Sequence, residues 1–172
     1  MKQKYIDLYK DFAERTAKLS HARRLQVGAV IVKDDTIISY GYNGTPSGWD
    51  NNCEDKEYMG DAGGWISPGE IEAQWPFEEW VASLCRKVRF RLKTKPEVLH
   101  AESNAIAKLA RGINSGDGAD IFITHAPCLD CAKLVYQAGI KRVYFGTAYR
   151  DDSGIRFLEK SGVEVNKINE KN

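Results

Sequence analysis

The residues able to do chemistry sit in two short stretches, His100-Ala101-Glu102 and Pro127-Cys128-Leu129-Asp130-Cys131. Cys128 and Cys131 form a C-x-x-C pair, and His100 adds an imidazole from a distance in sequence. Two thiolates and one imidazole suit a tetrahedral Zn²⁺. Three protein ligands leave the fourth position open, which separates a catalytic zinc from a structural one. Glu102 stands two residues past His100, better placed to serve a bound water than to bind the ion. Zinc lowers the pKa of a bound water from 15.7 to about 7, so the set points to hydrolysis at neutral pH. A C-x-x-C pair alone also serves as a redox pair or as half of a structural site. A Cys₄ site would need two further thiols, and only Cys53 and Cys85 remain, without that spacing. His125 is a rival ligand by type, but His100 already pairs with Glu102. His21 reads as a surface or structural residue.

The joint pattern, H-x-E followed by P-C-x-x-C, is the signature of zinc-dependent nucleobase deaminases. In that chemistry hydroxide attacks the ring carbon bearing the amino group, C4 in a cytosine. The ring nitrogen takes a proton, and ammonia leaves with another. One carboxylate can move both protons, which is the role expected of Glu102.

These residues need elements to position them. Residues 4–19 place Ile6, Tyr9, Phe12 and Ala13 near one face, followed by Ala17 and Leu19, an amphipathic packing helix. Val27–Val32 reads as a buried strand, Lys33-Asp34-Asp35 as a turn, and Thr36–Gly41 as the returning hairpin strand. Arg23 and Arg24 precede the hairpin, as a phosphate clamp or as a solvated basic loop. The glycine-rich Gly41-Tyr42-Asn43-Gly44 stretch permits close approach to a ligand, or is simple turn chemistry. Asn43 offers a donor and an acceptor there. The zinc helix is expected over 99–110, with Ala105, Ile106, Leu109 and Ala110 facing inward and Gly112 closing it. Asp120–Thr124 is a strand that delivers the C-x-x-C turn at its carboxyl end, where α/β sites usually lie. A helix over 129–137 would aim its positive end at the metal and help keep the thiols ionised. A strand over 141–146 then implies parallel pairing, and a last helix near 155–160 and strand near 163–165 complete the pattern. Tyr149 lies just past the 141–146 strand, at the mouth of the site. The expected fold is α/β: a three-layer α/β/α sandwich on a mixed five-stranded sheet, an antiparallel hairpin plus parallel strands, with both zinc helices on one face.

Residues 49–99 read as an insertion within one domain spanning 1–172. Gly60–Gly69 is loop-like, a short helix begins near Glu70, and another is expected from Pro76 to about Lys87. Trp65, Trp75 and Trp80 would need a surface to bury against. Arg86, Lys87, Arg89, Arg91, Lys93 and Lys95 form a basic run, either a solvated face or a contact to phosphates of an effector or a neighbouring subunit. The formal net charge is +1, which gives no bulk field for nucleic acid or membrane. With no long apolar run or leader, and cysteines suited to metal, a cytoplasmic protein is expected.

Taken together, Gln26-Val27-Gly28-Ala29, Gly41-Tyr42-Asn43-Gly44, His100-Ala101-Glu102-Ser103-Asn104-Ala105-Ile106, Pro127–Lys133 and Gln137–Lys141 resemble the deoxycytidylate (dCMP) deaminases of the cytidine deaminase superfamily. The resemblance covers nearly the whole chain. It implies a hydrolase acting on a cyclic amidine C–N bond, converting dCMP and water to dUMP and ammonia for thymidylate synthesis. It assigns one zinc to His100, Cys128 and Cys131, and proton transfer to Glu102. It implies that Tyr149 stacks on the cytosine while the Ala101 amide and the Ala126 carbonyl read its polar edge; Asn43 would serve the effector, the substrate or both, and Arg24, from its place before the hairpin, is a further candidate substrate contact. Such enzymes are commonly homohexamers, activated by dCTP and inhibited by dTTP, with Mg²⁺ accompanying the effector. The effector site would include Tyr42, Asn43 and Gly44, and Arg111 would link subunits and sites. The usual S-P-C entry is Ala126-Pro127-Cys128 here, which keeps the carbonyl and removes a hydroxyl. Some phage-type relatives carry a second zinc; Cys53 and Cys85 show no four-ligand set. Two other classes remain: a deaminase of tRNA or single-stranded DNA, which would need a basic, aromatic-lined groove, and a non-enzymatic zinc-stabilised interaction module, which would leave Glu102 without a task.

Overall fold

A computed structural model describes residues 1–59, 67–149 and 151–168. Helix α1 (Gln3–Ala17) leads into the hairpin β1 (Gly28–Lys33) and β2 (Thr36–Tyr42). The insertion follows, with β3 (Glu54–Tyr58), α2 (Pro68–Gln74), β4 (Phe77–Val81), a 3₁₀ turn and β5 (Arg86–Thr94). Then come α3 (Ala101–Leu109), β6 (Asp120–His125), α4 (Leu129–Gln137), β7 (Arg142–Thr147), α5 (Ser153–Lys160) and β8 (Glu164–Lys167).

The main sheet has the order β2-β1-β6-β7-β8; β1 is antiparallel to β2 and β6, while β6, β7 and β8 run parallel. Strand β1 is apolar and buried on both faces, as a central strand between two helical layers must be. Alternation then divides its residues: Val30 and Val32 meet Tyr9 and Ala13 of α1, while Ala29 and Ile31 meet α3, α4 and α5 residues on the opposite face. On the α1 side, Phe122 stacks on Tyr144 at 4.6 Å and touches Tyr9 at 5.2 Å. The three-layer α/β/α fold is borne out, with both zinc helices on one face.

Other expectations need correction. Phe12 and Leu19 are exposed, so the buried stripe of α1 is Tyr9, Ala13, Thr16 and Ala17. Helix α3 starts one residue after His100, which is its N-cap, and Ala110 is exposed. Gly112 is not a left-handed cap; the chain leaves α3 through turns at Lys108 and Leu109 carbonyls. No helix spans Phe77–Lys87. Those residues form β4, a turn at Cys85 (φ 48°) and the start of β5, because Glu78 and Glu79 find cross-strand cations there. The basic run is thus strand β5, which alternates Lys87, Arg89, Arg91 and Lys93 with Val88, Phe90, Leu92 and Thr94. Three antiparallel strands, β3-β5-β4, make this second sheet. Trp80 is 63% exposed, not packed; Trp75 is half-buried with the Arg91 guanidinium over its ring. Trp65 and most of Gly60–Gly69 lie outside the described residues.

Candidate active site

Both zinc helices begin at a candidate ligand. His100 is the N-cap of α3 and Cys128 the N-cap of α4, and Cys131 lies in the first turn of α4. Two helix N-termini, each carrying partial positive charge, therefore converge on the thiols. Close packing fixes the approach. A Cβ on Gly41 of β2 would stand 2.2 Å from the Ala101 carbonyl, and one on Gly154 of α5 would stand 2.1 Å from the Pro127 carbonyl. Leu99 and Gly44 exchange two backbone hydrogen bonds, at 2.9 and 3.1 Å, which ties the Gly41–Gly44 stretch to the start of α3.

His100 Nδ1 lies 3.6 Å from Cys128 Sγ and 3.4 Å from Cys131 Sγ, and the three ligand atoms all fall within 4.8 Å of one another. A tetrahedral ion with Zn–S of about 2.3 Å and Zn–N of about 2.05 Å places nitrogen and sulfur about 3.6 Å apart. The donor set fits zinc in type and in spacing. Hydrogen bonds from Cys131 and His100 hold the Cys128 thiol down at about 4, so its thiolate carries the charge. The bond to Cys128, together with burial, pushes the Cys131 thiol up. Hydrogen bonding to Cys128 raises His100. Glu102 is 4% exposed; burial pushes its carboxyl up, partly opposed by its own backbone N–H and by His100. A raised carboxyl beside a metal site is suited to taking and returning a proton.

A cleft of about 190 Å³ opens over this group, at the carboxyl ends of β6 and β7. It brings together Arg24, Asn43, His100, Ala101, Glu102, Ala126, Cys128 and Tyr149. Tyr149 is 42% exposed at its rim. Leu25, Val27, Thr94, Val98 and His125 also line it. His125 is held by Thr124 Oγ1 at 3.1 Å, and burial lowers its pKa. It is not in the ligand group. Among the described residues Cys53 and Cys85 join no such group; Cys53 is buried against Ala22 and Val98.

Residues 2–147 match the family model of the cytidine and deoxycytidylate deaminase zinc-binding region. The chain belongs to this family. The deaminase is 37% identical to the deoxycytidylate deaminase of Enterobacteria phage T4 over 161 residues, covering 86% of this chain and 81% of that one. It is 35% identical to the human deoxycytidylate deaminase over 142 residues, 80% of this chain and 62% of that one. The dCMP deaminase of cyanophage S-TIM5, solved in complex with dCMP and dUMP, superposes with a TM-score of 0.74 at 36% identity, covering 98% of this chain and 99% of that one. The resemblance to dCMP deaminases and the reading as a zinc hydrolase are thereby borne out.

In the deaminase, Tyr42, Asn43, Gly44 and Arg111 line a second cavity, about 540 Å³, on the far side of the Gly41–Gly44 stretch, with His21, Asn104 and Lys108. Asn43 is the wall shared by both cavities. Its amide is committed to the backbone: Oδ1 accepts from Val27 N at 2.8 Å and Nδ2 donates to Leu25 O at 2.9 Å. Motif reading missed Thr94 and Val98, which come from the insertion. The period-two alternation of β5 was the signal that could have placed Thr94 on its apolar face.

Proposed function

We propose that the deaminase converts dCMP and water to dUMP and ammonia, supplying dUMP for thymidylate synthesis. The carrying observation is the shared cleft, where His100 and Cys128 of the metal-type group, a buried Glu102 and Tyr149 line one cavity of nucleotide-base size. The S-TIM5 relative, which was solved with dCMP and dUMP, supports the substrate. Zinc held by His100, Cys128 and Cys131 would supply an activated water at neutral pH. Glu102 would take one proton from that water and deliver it to the ring nitrogen, then take the second from the hydroxyl added at C4 and pass it to the amino group, which leaves as ammonia while the carbonyl forms. Ala101 is the first residue of α3, so its N–H has no acceptor within the helix and can donate to the base. The Ala126 carbonyl accepts from the base amino group, Tyr149 stacks on the ring, and Arg24 meets the 5′-phosphate.

Regulation is part of the same proposal. The 540 Å³ cavity with Tyr42, Asn43, Gly44, Lys108 and Arg111 supports an effector site for dCTP or dTTP with Mg²⁺. Because Asn43 borders both cavities and braces Leu25 and Val27, an occupied effector cavity can shift the cleft wall. Arg111 is exposed and suits contact with a neighbouring subunit of a homohexamer. We place the enzyme in the cytoplasm as one domain over 1–172; no helix among the described residues is long and apolar enough to cross a membrane.

The test follows the ultraviolet absorbance of dCMP with zinc-loaded enzyme alone, with dCTP–Mg²⁺ and with dTTP–Mg²⁺. Turnover raised by dCTP and suppressed by dTTP is expected. Turnover indifferent to both keeps the reaction and removes the regulation, and no turnover of dCMP in any arm overturns the substrate.

A further inference from the structure

Glu54 is a buried charge that the chemistry above does not use. The residue is 2% exposed, and a carboxylate so placed must be well partnered. Glu54 Oε1 accepts the backbone N–H groups of both Arg23 and Arg24, each at 3.0 Å. Glu54 Oε2 accepts from Arg23 Nε at 3.4 Å. Directly across the β3–β5 ladder stands Thr94, whose Oγ1 accepts from Arg24 Nη1 at 3.2 Å. One rung of the insertion thus grips Arg24 at its backbone through Glu54 and at its guanidinium through Thr94.

The place of that rung gives it a consequence for substrate. Arg24 and Thr94 line the zinc-site cleft and also an adjoining groove of about 700 Å³, where Lys93 follows on β5. Two other cations of the groove are engaged: Arg91 with Glu57 at 2.8 Å, and Arg23 with Glu54 and Asn52. Arg24 makes a neutral contact only, so its charge is open to an anion. An arginine on a mobile loop gives up rotamer freedom when it binds; one already held gives up less.

We propose that Glu54 and Thr94 are positioning residues that preset Arg24 for the 5′-phosphate of a nucleoside monophosphate. Selection for the phosphorylated substrate is then built by the insertion, while the zinc core supplies the reaction. The inference rests on the reading of dCMP as substrate.

The test compares Glu54→Gln, Thr94→Val and Arg24→Ala in the zinc-loaded enzyme. It reads KM and kcat for dCMP, and calorimetric binding of dUMP against deoxyuridine, which lacks only the phosphate. Glu54→Gln is expected to raise KM and weaken dUMP about tenfold, the scale of one charge-assisted hydrogen bond, with deoxyuridine affinity and zinc content held. Thr94→Val removes the one hydrogen bond that holds the Arg24 guanidinium, at constant shape, and is expected to weaken dUMP about threefold to fivefold in the same pattern. The double variant Glu54→Gln/Arg24→Ala should be no worse than Arg24→Ala alone, because the two act as one device. Equal weakening of dUMP and deoxyuridine, or additive losses in the double variant, overturns the positioning role. If Arg24→Ala leaves dUMP affinity intact, the phosphate contact falls and the inference with it. A parent enzyme that neither turns over dCMP nor binds dUMP would instead sink the substrate reading, which is a separate result. Should Glu54→Gln not fold, Thr94→Val still decides, since its hydroxyl contributes nothing to the core.

Discussion

In the five-stranded sheet, β1 is buried on both faces and β6 carries Ile121, Phe122 and Ile123 with almost no exposure. In the three-stranded sheet of the insertion, only Glu54 and Phe90 are buried. The first sheet is held by apolar burial, on the order of 1.5–3 kcal/mol for each large side chain. The second is laced by ion pairs: Lys56–Glu79, Arg91–Glu57 at 2.8 Å, Arg89–Glu78 at 3.0 Å and Lys95–Asp55 at 3.9 Å. Exposed pairs of this kind contribute little each and are screened by salt. The reaction centre therefore sits on the rigid body, at the N-termini of α3 and α4, while the insertion adds a wall of the cleft through Thr94 and Val98. Rigidity serves the chemistry, and the softer sheet is where specificity can change without disturbing it.

The largest effect should come from the rigid side. Glu102→Gln keeps the shape and hydrogen bonding of the carboxyl but cannot carry a proton. Turnover of dCMP should fall by about 10³-fold or more, near the upper range for general acid–base catalysis, while metal analysis still finds one zinc per chain. Zinc retained with undiminished turnover would remove Glu102 from the mechanism.

The same division governs what is readable in the sequence. Metal ligation demands residue types at set spacing, so His100, Glu102, Cys128 and Cys131 stand out from their spacing alone. Strands buried on both faces are near-continuous apolar runs, which makes β1 and the order of the sandwich legible too. The insertion obeys no such demand. Phe77-Glu78-Glu79-Trp80-Val81 contains good helix formers, and only the cations of β3 and β5, distant in sequence, turn it into a strand. Glu54 looks like one acid among 24, because nothing local marks a carboxylate that will be buried under Arg23 and Arg24. Exposed Phe12, Leu19 and Trp80 are unreadable for a related reason: periodicity finds an apolar face but does not say that anything covers it.

A pair of aromatic truncations sharpens the contrast in stability. Phe122→Ala removes the ring that joins Tyr9 to Tyr144 across the α1 layer, and should cost about 3–5 kcal/mol in chemical denaturation. Phe90→Ala removes the centre of the insertion's small cluster, where Phe77 stacks at 5.4 Å and Tyr58 lies at 6.0 Å. Its loss should be about 1–2 kcal/mol at most, because the ring borders solvent and the site can collapse. Equal losses would mean that the insertion is as much a part of the cooperative unit as the main sheet.

Close packing gives a smaller effect. Gly41→Ala sets a methyl against the Ala101 carbonyl and the Ala105 amide of α3, and backbone cannot yield as a side chain can. About 1–3 kcal/mol of destabilisation is expected, the usual cost of overpacking. Zinc affinity should fall with it, because α3 carries His100 at its head. A stable Gly41→Ala protein with unchanged zinc affinity would show that α3 can retreat from β2 without moving its first residue.

Salt provides the mildest perturbation and the most selective one. Raising ionic strength from about 0.05 to about 0.5 M shortens the Debye length from about 14 to about 4 Å, which screens exposed pairs and leaves apolar burial in place. Amide hydrogen exchange should then quicken several-fold in β3, β4 and β5 and hold steady in β1 and β6. Arg91→Ala should reproduce part of that acceleration at low salt, since it breaks the Glu57 pair and uncovers the Trp75 ring together. If β1 and β6 quicken alongside the insertion, the two sheets open as one body, and the ion pairs of β5 are supporting the zinc site rather than only the wall beside it.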